Sequence, residues 1–276
     1  MKYSFYILFF LVLTQAVMAT SVERKIIIEN NQFYFTTIDE QFQIATLHTG
    51  KISQPLDSAK LFALPAGRNY DYPINPFSWD LYKGTFYGIN FLTHPMNSRN
   101  AALKRFPLSS LEVWNDKITA LDMIMKSIDQ NTFTRNDPYQ YVSSKSNVLN
   151  HFFYDGIAMN DTSYFMAICN NNEISIWNYN EKKWVQGIDQ KFPFNNYFSL
   201  FKMNKKLYLV TSEGSIFSVE NYRLTLVKNK SLGDKLANYI MIENRDNKTF
   251  SIMKSSQLNF AQPLDKQIVK NAVKLF

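Results

Sequence analysis

Residues 78–99 of this 276-residue chain read SWDLYKGTFYGINFLTHPMNSR. The stretch is an aromatic, apolar run with Gly88 inside it and Pro95 just beyond it. A glycine within a strand indicates a bulge or a close approach of another backbone. Proline lacks the amide hydrogen that a sheet ladder requires, so the strand has to end or lie at a sheet edge by Pro95. The stretch therefore predicts a β-strand that ends at a sharp corner.

Four further segments each contain two apolar runs that are separated by a polar turn. They span residues 32–45, 164–177, 207–219 and 239–252. A strand, a turn containing Asn, Asp or Gly, and a second strand together indicate a β-hairpin. Recurrence at roughly 30–50 residues is typical of a β-propeller, in which each sheet is one blade. A β-sandwich has turns every 8–12 residues or so without a longer period. We predict an all-β, β-propeller-like fold.

Helical patterns are few. The candidates are residues 97–106, 118–128 and a tail helix over 266–275. Residues 53–76 are rich in Pro, Asn, Asp and Gly, which predicts a long surface connection. An all-β architecture of this length commonly forms a single domain.

The N-terminus has the features of a secretory signal. Lys2 precedes an apolar core at residues 5–13, and Ala19 ends a plausible cleavage site. The apolar core is too short for a membrane anchor. We predict a signal peptide over residues 1–19 and a secreted propeller domain over residues 20–276.

The single cysteine, Cys169, excludes an intrachain disulfide. Burial as a small hydrophobic side chain is the favoured state of this thiol. A free thiol and a bond to another chain stay open. The oligomeric state stays open as well.

The charge pattern argues against nucleic acid as a partner. The formal net charge is +7 at pH 7, but the basic residues are scattered and form no run of five or six. The sequence motifs of phosphate-binding loops, zinc proteases and serine hydrolases are absent. His48, His94 and His151 lack the spacing of metal ligands. We therefore expect neither a cofactor nor a metal ion.

Four carboxylates could face the channel of a propeller: Asp39, Asp80, Asp155 and Glu213. Paired carboxylates permit glycosidic chemistry when they are held at a suitable separation. Most of the four occupy predicted turns, where an acidic side chain caps backbone amides, and this structural interpretation is favoured.

Taken in order, these segments resemble the yellow/major royal jelly protein family of insects. Trp79, Lys83-Gly84, residues 86–89 and residues 94–99 resemble the central signature of that family, and the strands at 207–212 and 238–241 resemble later blocks. The resemblance implies a six-bladed β-propeller of which this chain has about four to five blades. The chain is then either a shortened, diverged member or an incomplete sequence.

The resemblance also implies a function, namely non-catalytic binding of a small molecule, with biogenic amines favoured. Aromatic side chains at the channel mouth would hold an ammonium group by cation–π contact. The ligand-binding residues that the resemblance suggests are Ser212, Phe217, Asn238 and Tyr239. An enzyme that acts on catecholamine-derived pigment precursors and an extracellular structural or storage protein are the alternatives.

Three Asn-x-Ser/Thr sequences are candidate N-glycosylation sites in an exported protein. They begin at Asn160, Asn229 and Asn247, each in or beside a predicted turn.

Overall fold

In the computed structural model of the chain, the described residues extend from residue 25 to residue 276 with gaps. They are residues 25–39, 44–64, 71–93, 99–111, 153–160, 163–170, 173–178, 183–184, 198–211, 214–220, 223–229, 232 and 238–276. The predicted signal peptide, the candidate helix at 118–128, His94, His151, Ser212 and Glu213 lie outside them.

The described strands form five antiparallel meanders that follow one another along the chain. The first contains β1 (Lys25–Glu29), β2 (Gln32–Asp39), β3 (Ile44–Lys51) and β4 (Lys60–Ala63). The second contains β5 (Asp71–Tyr82), β6 (Thr85–Thr93) and β7 (Arg99–Pro107). The third contains β8 (Phe153–Asn160), β9 (Ser163–Asn170), β10 (Glu173–Asn178) and β11 (Lys183–Trp184). The fourth contains β12 (Phe198–Met203), β13 (Lys206–Thr211), β14 (Ser215–Glu220) and β15 (Arg223–Asn229). The fifth contains β16 (Tyr239–Asn244), β17 (Thr249–Lys254) and β18 (Val273–Lys274).

The meanders are arranged in a ring that follows chain order. Strand β5 packs against β3 on one side and β8 on the other, and β8 packs against β12. The fourth and fifth meanders share a hydrophobic cluster. Strands β1 and β16 pair in parallel, which closes the ring and joins the first and fifth meanders into one seven-stranded sheet. The all-β, propeller-like prediction is confirmed.

Tight turns connect the first two strands of several meanders. Asn30 and Asn31 have φ values of 55° and 60°, and Asn204 and Lys205 have values of 51° and 62°. Two consecutive positive φ angles define the type I′ turn, whose twist matches that of an antiparallel pair. Asparagine tolerates this conformation better than most residues, and a glycine, Gly84, takes it in the second meander at φ 68°.

The two faces of the seven-stranded sheet are both covered. One face packs against the second and fourth meanders. The opposite face is covered by helix α1 (Leu264–Asn271) and by a single 3₁₀ turn at Leu56–Ser58. Leu56 and Leu264 are fully buried there. No described helix is both long enough and apolar enough to cross a membrane.

All four predicted hairpins are present, as β2–β3, β9–β10, β13–β14 and β16–β17. Gly88 lies opposite Trp79, and the register of β5 with β6 shifts between Ile74 and Trp79, beside the predicted irregularity. The tail helix ends at Asn271, before β18 begins.

Two local predictions are wrong. Residues 99–107 form strand β7, which pairs with β6 over its whole length, instead of a helix. Residues 53–76 contain β4 and the start of β5 instead of a continuous surface connection. In both places the pairing of a strand with its neighbour outweighs a weak local preference.

Candidate functional site

Six charged side chains gather where the ends of four first strands meet. Arg245 follows β16 in the four-residue turn to β17, so its side chain can reach back over the ring. We call this group the Arg245 cluster. Its members are Lys25, Glu29, Asp80, Lys202, Glu243 and Arg245.

The guanidinium of Arg245 contacts three carboxylates. Its Nε donates to Glu243 Oε1 at 2.7 Å, and its Nη2 donates to Asp80 Oδ1. Nη1 lies 3.6 Å from Glu29 Oε1 and also donates to the carbonyl oxygen of Leu81. One side chain of the last meander therefore bridges the first strands of the first, second and fifth meanders.

Lys202 brings the fourth meander into the cluster. Its Nζ donates to Asp80 Oδ2 at 2.8 Å and lies 5.1 Å from the ring centroid of Tyr82. Both oxygens of the Asp80 carboxylate therefore have a cationic donor. Such charge-assisted bonds are about twice as strong as neutral ones.

Aromatic side chains form the apolar floor beside these charges. Trp79 is fully buried and stacks on Phe86 with ring centroids 5.6 Å apart. The Nζ of Lys25 lies 5.4 Å from the ring of Trp79. Contact with a buried tryptophan face is a favourable environment for a cation.

The electrostatics of the cluster fix the charge of Asp80. Burial by itself raises the pKa of this carboxyl group, but Lys202, Arg245 and Lys25 outweigh burial and hold the pKa well below its usual range. Burial acts to lower the pKa of Arg245, and the neighbouring carboxylates Glu243 and Asp80 reverse this and raise it. Asp80 is therefore an anion, and Arg245 a cation, throughout the physiological pH range.

The three carboxylates differ in access to solvent. The side chain of Glu29 is 30% exposed, whereas that of Glu243 is 1% exposed and that of Asp80 is 0% exposed. Within the described part of the chain, Glu243 Oε2 and Trp79 Nε1 are buried without a hydrogen-bond partner. Buried polar atoms of this kind call for a water molecule or a ligand hydroxyl. The cluster is thus closed at its base and open at Glu29.

The cluster is a poor match for a metal ion. Three cations face three carboxylates, so its formal charge is zero. Among the described residues no group of three His, Cys, Asp or Glu side chains could hold a metal. His48 is instead buried beside Phe35, with ring centroids 4.5 Å apart, and its Nε2 lies 2.8 Å from Thr37 Oγ1. Burial lowers the pKa of His48 to about 4.

Of the ligand-binding residues suggested by the resemblance, Ser212 lies outside the described residues, and the other three have different surroundings. Tyr239 belongs to the hydrophobic cluster that includes Ile216, whereas Phe217, the next residue, points to the other face of β14. Asn238 is exposed, and its carbonyl oxygen accepts a hydrogen bond from Ser255. The packing between the fourth and fifth meanders accounts for Tyr239.

Of the four carboxylates singled out in the sequence, Asp80 lies in the cluster, and Glu213 is outside the described residues. Asp80 lies in β5, within the predicted strand, and is fully buried, so the turn interpretation does not apply to it. Sequence reasoning missed the other five members, which are Lys25, Glu29, Lys202, Glu243 and Arg245. The available signal was a charged residue near the end of a first strand, beside a polar turn, as at Glu29, Lys202 and Arg245.

Comparison with known proteins gives no family. No protein-family model matches the chain, and none of the curated proteins is significantly similar to it in sequence. The similar solved structures include a GH43 β-1,3-galactosidase at 10% identity and TM-score 0.45, covering 89% of this chain and 88% of that one. A GH43 α-L-arabinofuranosidase from Clostridium thermocellum has 10% identity and TM-score 0.43, covering 87% and 83%. A GH43 protein from Bacillus licheniformis has 10% identity and TM-score 0.44, covering 85% and 48%.

This chain spans about half the length of the Bacillus licheniformis protein, at 48%. Likeness of this degree carries no conclusion about activity or substrate. It does bear on the predicted family. The similar structures are GH43 proteins, and no family model supports the yellow/major royal jelly proteins, so that resemblance is wrong. The amine-binding function taken from it is wrong as well, and its pigment-precursor and storage alternatives lose their basis.

Proposed function

We propose that the chain hydrolyses a glycosidic bond at the open edge of the Arg245 cluster. The observation that carries the proposal is the grouping of Glu29, Asp80 and Glu243 around one guanidinium. Glycoside hydrolysis uses two carboxyl groups about 5–9.5 Å apart, one that donates a proton and one that remains an anion. Carboxylates bound to different nitrogens of one guanidinium, through hydrogen bonds of about 3 Å each, are held at separations of this order.

The cluster supplies both roles. Asp80 is held as an anion by Lys202 and Arg245, and its charge acts on the open edge through Arg245, because the carboxylate itself is fully buried. Glu29 is the most exposed of the three and the most loosely held, at 3.6 Å from Arg245, so it is the carboxylate that a substrate can reach. We assign the proton transfer to Glu29 and the fixed negative charge to Asp80.

The charge balance supports a neutral substrate. Three cations and three carboxylates within one cluster leave little net attraction for an ion, while offering both donors and acceptors to hydroxyl groups. The partnerless Glu243 Oε2 is an acceptor of this kind.

The test is turnover of neutral aryl glycosides by the purified full chain. A panel of β-xyloside, α-arabinofuranoside and β-galactoside substrates covers pentose and hexose sugars. We expect release of the aryl group from at least one of them. We expect the Glu29→Gln variant to lose about 10²-fold or more in kcat, the usual contribution of a general acid.

The matched control is Glu220→Gln. Glu220 is also a half-exposed glutamate paired with a cation, Lys206, at 2.7 Å, but it lies outside the cluster. The kcat of the Glu220→Gln variant should equal that of the unmodified chain. Rates no higher than those of buffer for every glycoside, with folded protein, would contradict the proposal, as would equal losses in the two variants.

Export and N-glycosylation stay proposals of the same kind. The side chains of Asn229 and Asn247 are exposed, as a glycan requires, and Asn160 ends β8. Expression in a eukaryotic secretory host should give a mature chain beginning at Thr20, with enzymatic deglycosylation lowering the mass at Asn229 and Asn247. A secreted chain that retains Met1 would contradict the signal peptide.

A further inference from the structure

The turn that carries Arg245 is fastened to the other end of the described chain. The two oxygens of the Asp246 carboxylate accept one backbone amide each, Asn30 N–H at 2.8 Å and Asn31 N–H at 2.8 Å. The backbone amide of Arg245 donates to the carbonyl oxygen of Ile28, also at 2.8 Å. Three hydrogen bonds therefore join the turn between β16 and β17 to the end of β1 and the turn that follows it.

The local backbone explains why a single carboxylate can accept both amides. Asn30 and Asn31 both have positive φ angles, 55° and 60°, which turn their successive N–H groups toward the same side. Successive amides arranged in this way form a concave site for an anion. Bonds from amides to a carboxylate are shorter and stronger than those to a neutral acceptor.

Asp246 thereby fixes the position of Glu29 relative to Arg245, two members of the Arg245 cluster. Glu29 directly precedes the Asn30–Asn31 turn, and Arg245 directly precedes Asp246. Fixing one turn against the other fixes the approach of Glu29 to Arg245, which is 3.6 Å and is the longest contact of the guanidinium. Asp246 itself is exposed, and both oxygens of its carboxylate bond to the Asn30–Asn31 turn.

We propose that Asp246 is a positioning residue that clasps the two turns together and so builds the open edge of the cluster. The role in hydrolysis rests on the function proposed above, whereas the clasp itself does not. Removing the clasp should loosen the two turns while the ring stays closed by the parallel pairing of β1 with β16.

The experiment is amide hydrogen exchange on the full chain and on its Asp246→Asn variant. The variant keeps one acceptor oxygen but loses the charge and the second acceptor. We expect exchange at Asn30 and Asn31 to speed up by about 10- to 100-fold, the equivalent of losing a bond to a charged group. Amides in β13, such as Leu209, should exchange at the original rate.

The matched control is Asp265→Asn. Asp265 is also exposed and also accepts a backbone amide, from Lys266 at 2.6 Å, but that contact is local to helix α1. The Asp265→Asn variant should leave the exchange rates of the Asn30 and Asn31 amides unchanged. The conservative variant Asp246→Glu, which retains the charge, should restore part of the protection.

Two exchange results would overturn the clasp. Unchanged exchange at Asn30 and Asn31 would show that the carboxylate does not hold the turn. Faster exchange in β13 as well would show that Asp246 acts on overall stability. If the chain hydrolyses a glycoside, Asp246→Asn should lower kcat with substrate affinity retained, and an unchanged kcat would remove the positioning role. Failure of hydrolysis in every form of the chain would leave the exchange result standing.

Discussion

The two faces of the seven-stranded sheet differ sharply, although they are built from alternate residues of the same strands. In β1, Lys25 and Ile27 face the ring, while Ile26 and Ile28 face helix α1. In β16, Glu243 faces the ring and Ile242 faces the helix. Strand pleating places neighbours on opposite faces. The ring-side face therefore includes a buried cluster of paired charges, whereas the helix-side face is covered mainly by apolar side chains.

This difference indicates that the helix-side face contributes mainly to stability, whereas the ring-side face contains the groups that could take part in a reaction. The helix-side face buries apolar side chains whose stabilisation is proportional to area and tolerates no charge. The ring-side face contains a buried ion cluster, which is costly to assemble and still more costly to break. A costly polar cluster at the point where four meanders meet is better explained by function than by stability.

The largest expected effect is from Arg245→Ala. Removing the guanidinium leaves Asp80 and Glu243 buried without their shared cation, which should lower the free energy of unfolding by about 3–5 kcal/mol. Urea denaturation at pH 7 measures the loss. Lowering the pH toward 4 should reduce it, because protonation neutralises the orphaned carboxylates. A loss below about 1 kcal/mol would contradict the prediction that Asp80 and Glu243 depend on Arg245 for compensation of their charge.

The counterpart on the other face is Leu264→Ala. Leu264 is fully buried against the sheet, so the change should cost about 2–5 kcal/mol through lost burial and a cavity. Because no charge is involved, the loss should stay the same between pH 7 and pH 5. A pH-dependent loss would contradict the division between a charged face and an apolar face.

A smaller change in the free energy of unfolding is expected from the titration of His48, which lies beside Phe35 on the helix-side face. Its pKa is lowered to about 4 in the folded chain, against about 6.5 when unfolded, so the unfolded state binds the proton first. The stability that this difference provides is complete above pH 6.5 or so and is lost as the pH falls toward about 4. The full loss is about 3 kcal/mol.

The measurement is the free energy of unfolding of the chain and of His48→Gln across that pH window. The slope should flatten in the variant. A slope that is unchanged would place the acid sensitivity elsewhere. Asp80 contributes mainly at lower pH, because the stabilisation from its depressed pKa is lost as the pH falls below the ordinary carboxyl value of about 3.8.

Much of the architecture followed from periodicity. Alternating apolar runs and Asn-rich turns predicted the hairpins, since short turns and strand pleating are local properties. Residues 99–107 were mispredicted because a partner strand, β6, decides their state. The family resemblance failed for a related reason: strands of similar aromatic composition recur in unrelated β-proteins, and their order alone does not specify a family.

The amino-acid sequence was enough to predict that this chain contains short hairpins whose strands end in polar turns. It did not determine which of those ends meet. Arg245 and Asp80 are separated by 165 positions, and only the closing of the ring by β1 and β16 brings their side chains into contact. Periodicity is a property of neighbouring residues, whereas a charge cluster depends on strands that are distant in sequence. The candidate site therefore became visible only in the tertiary structure.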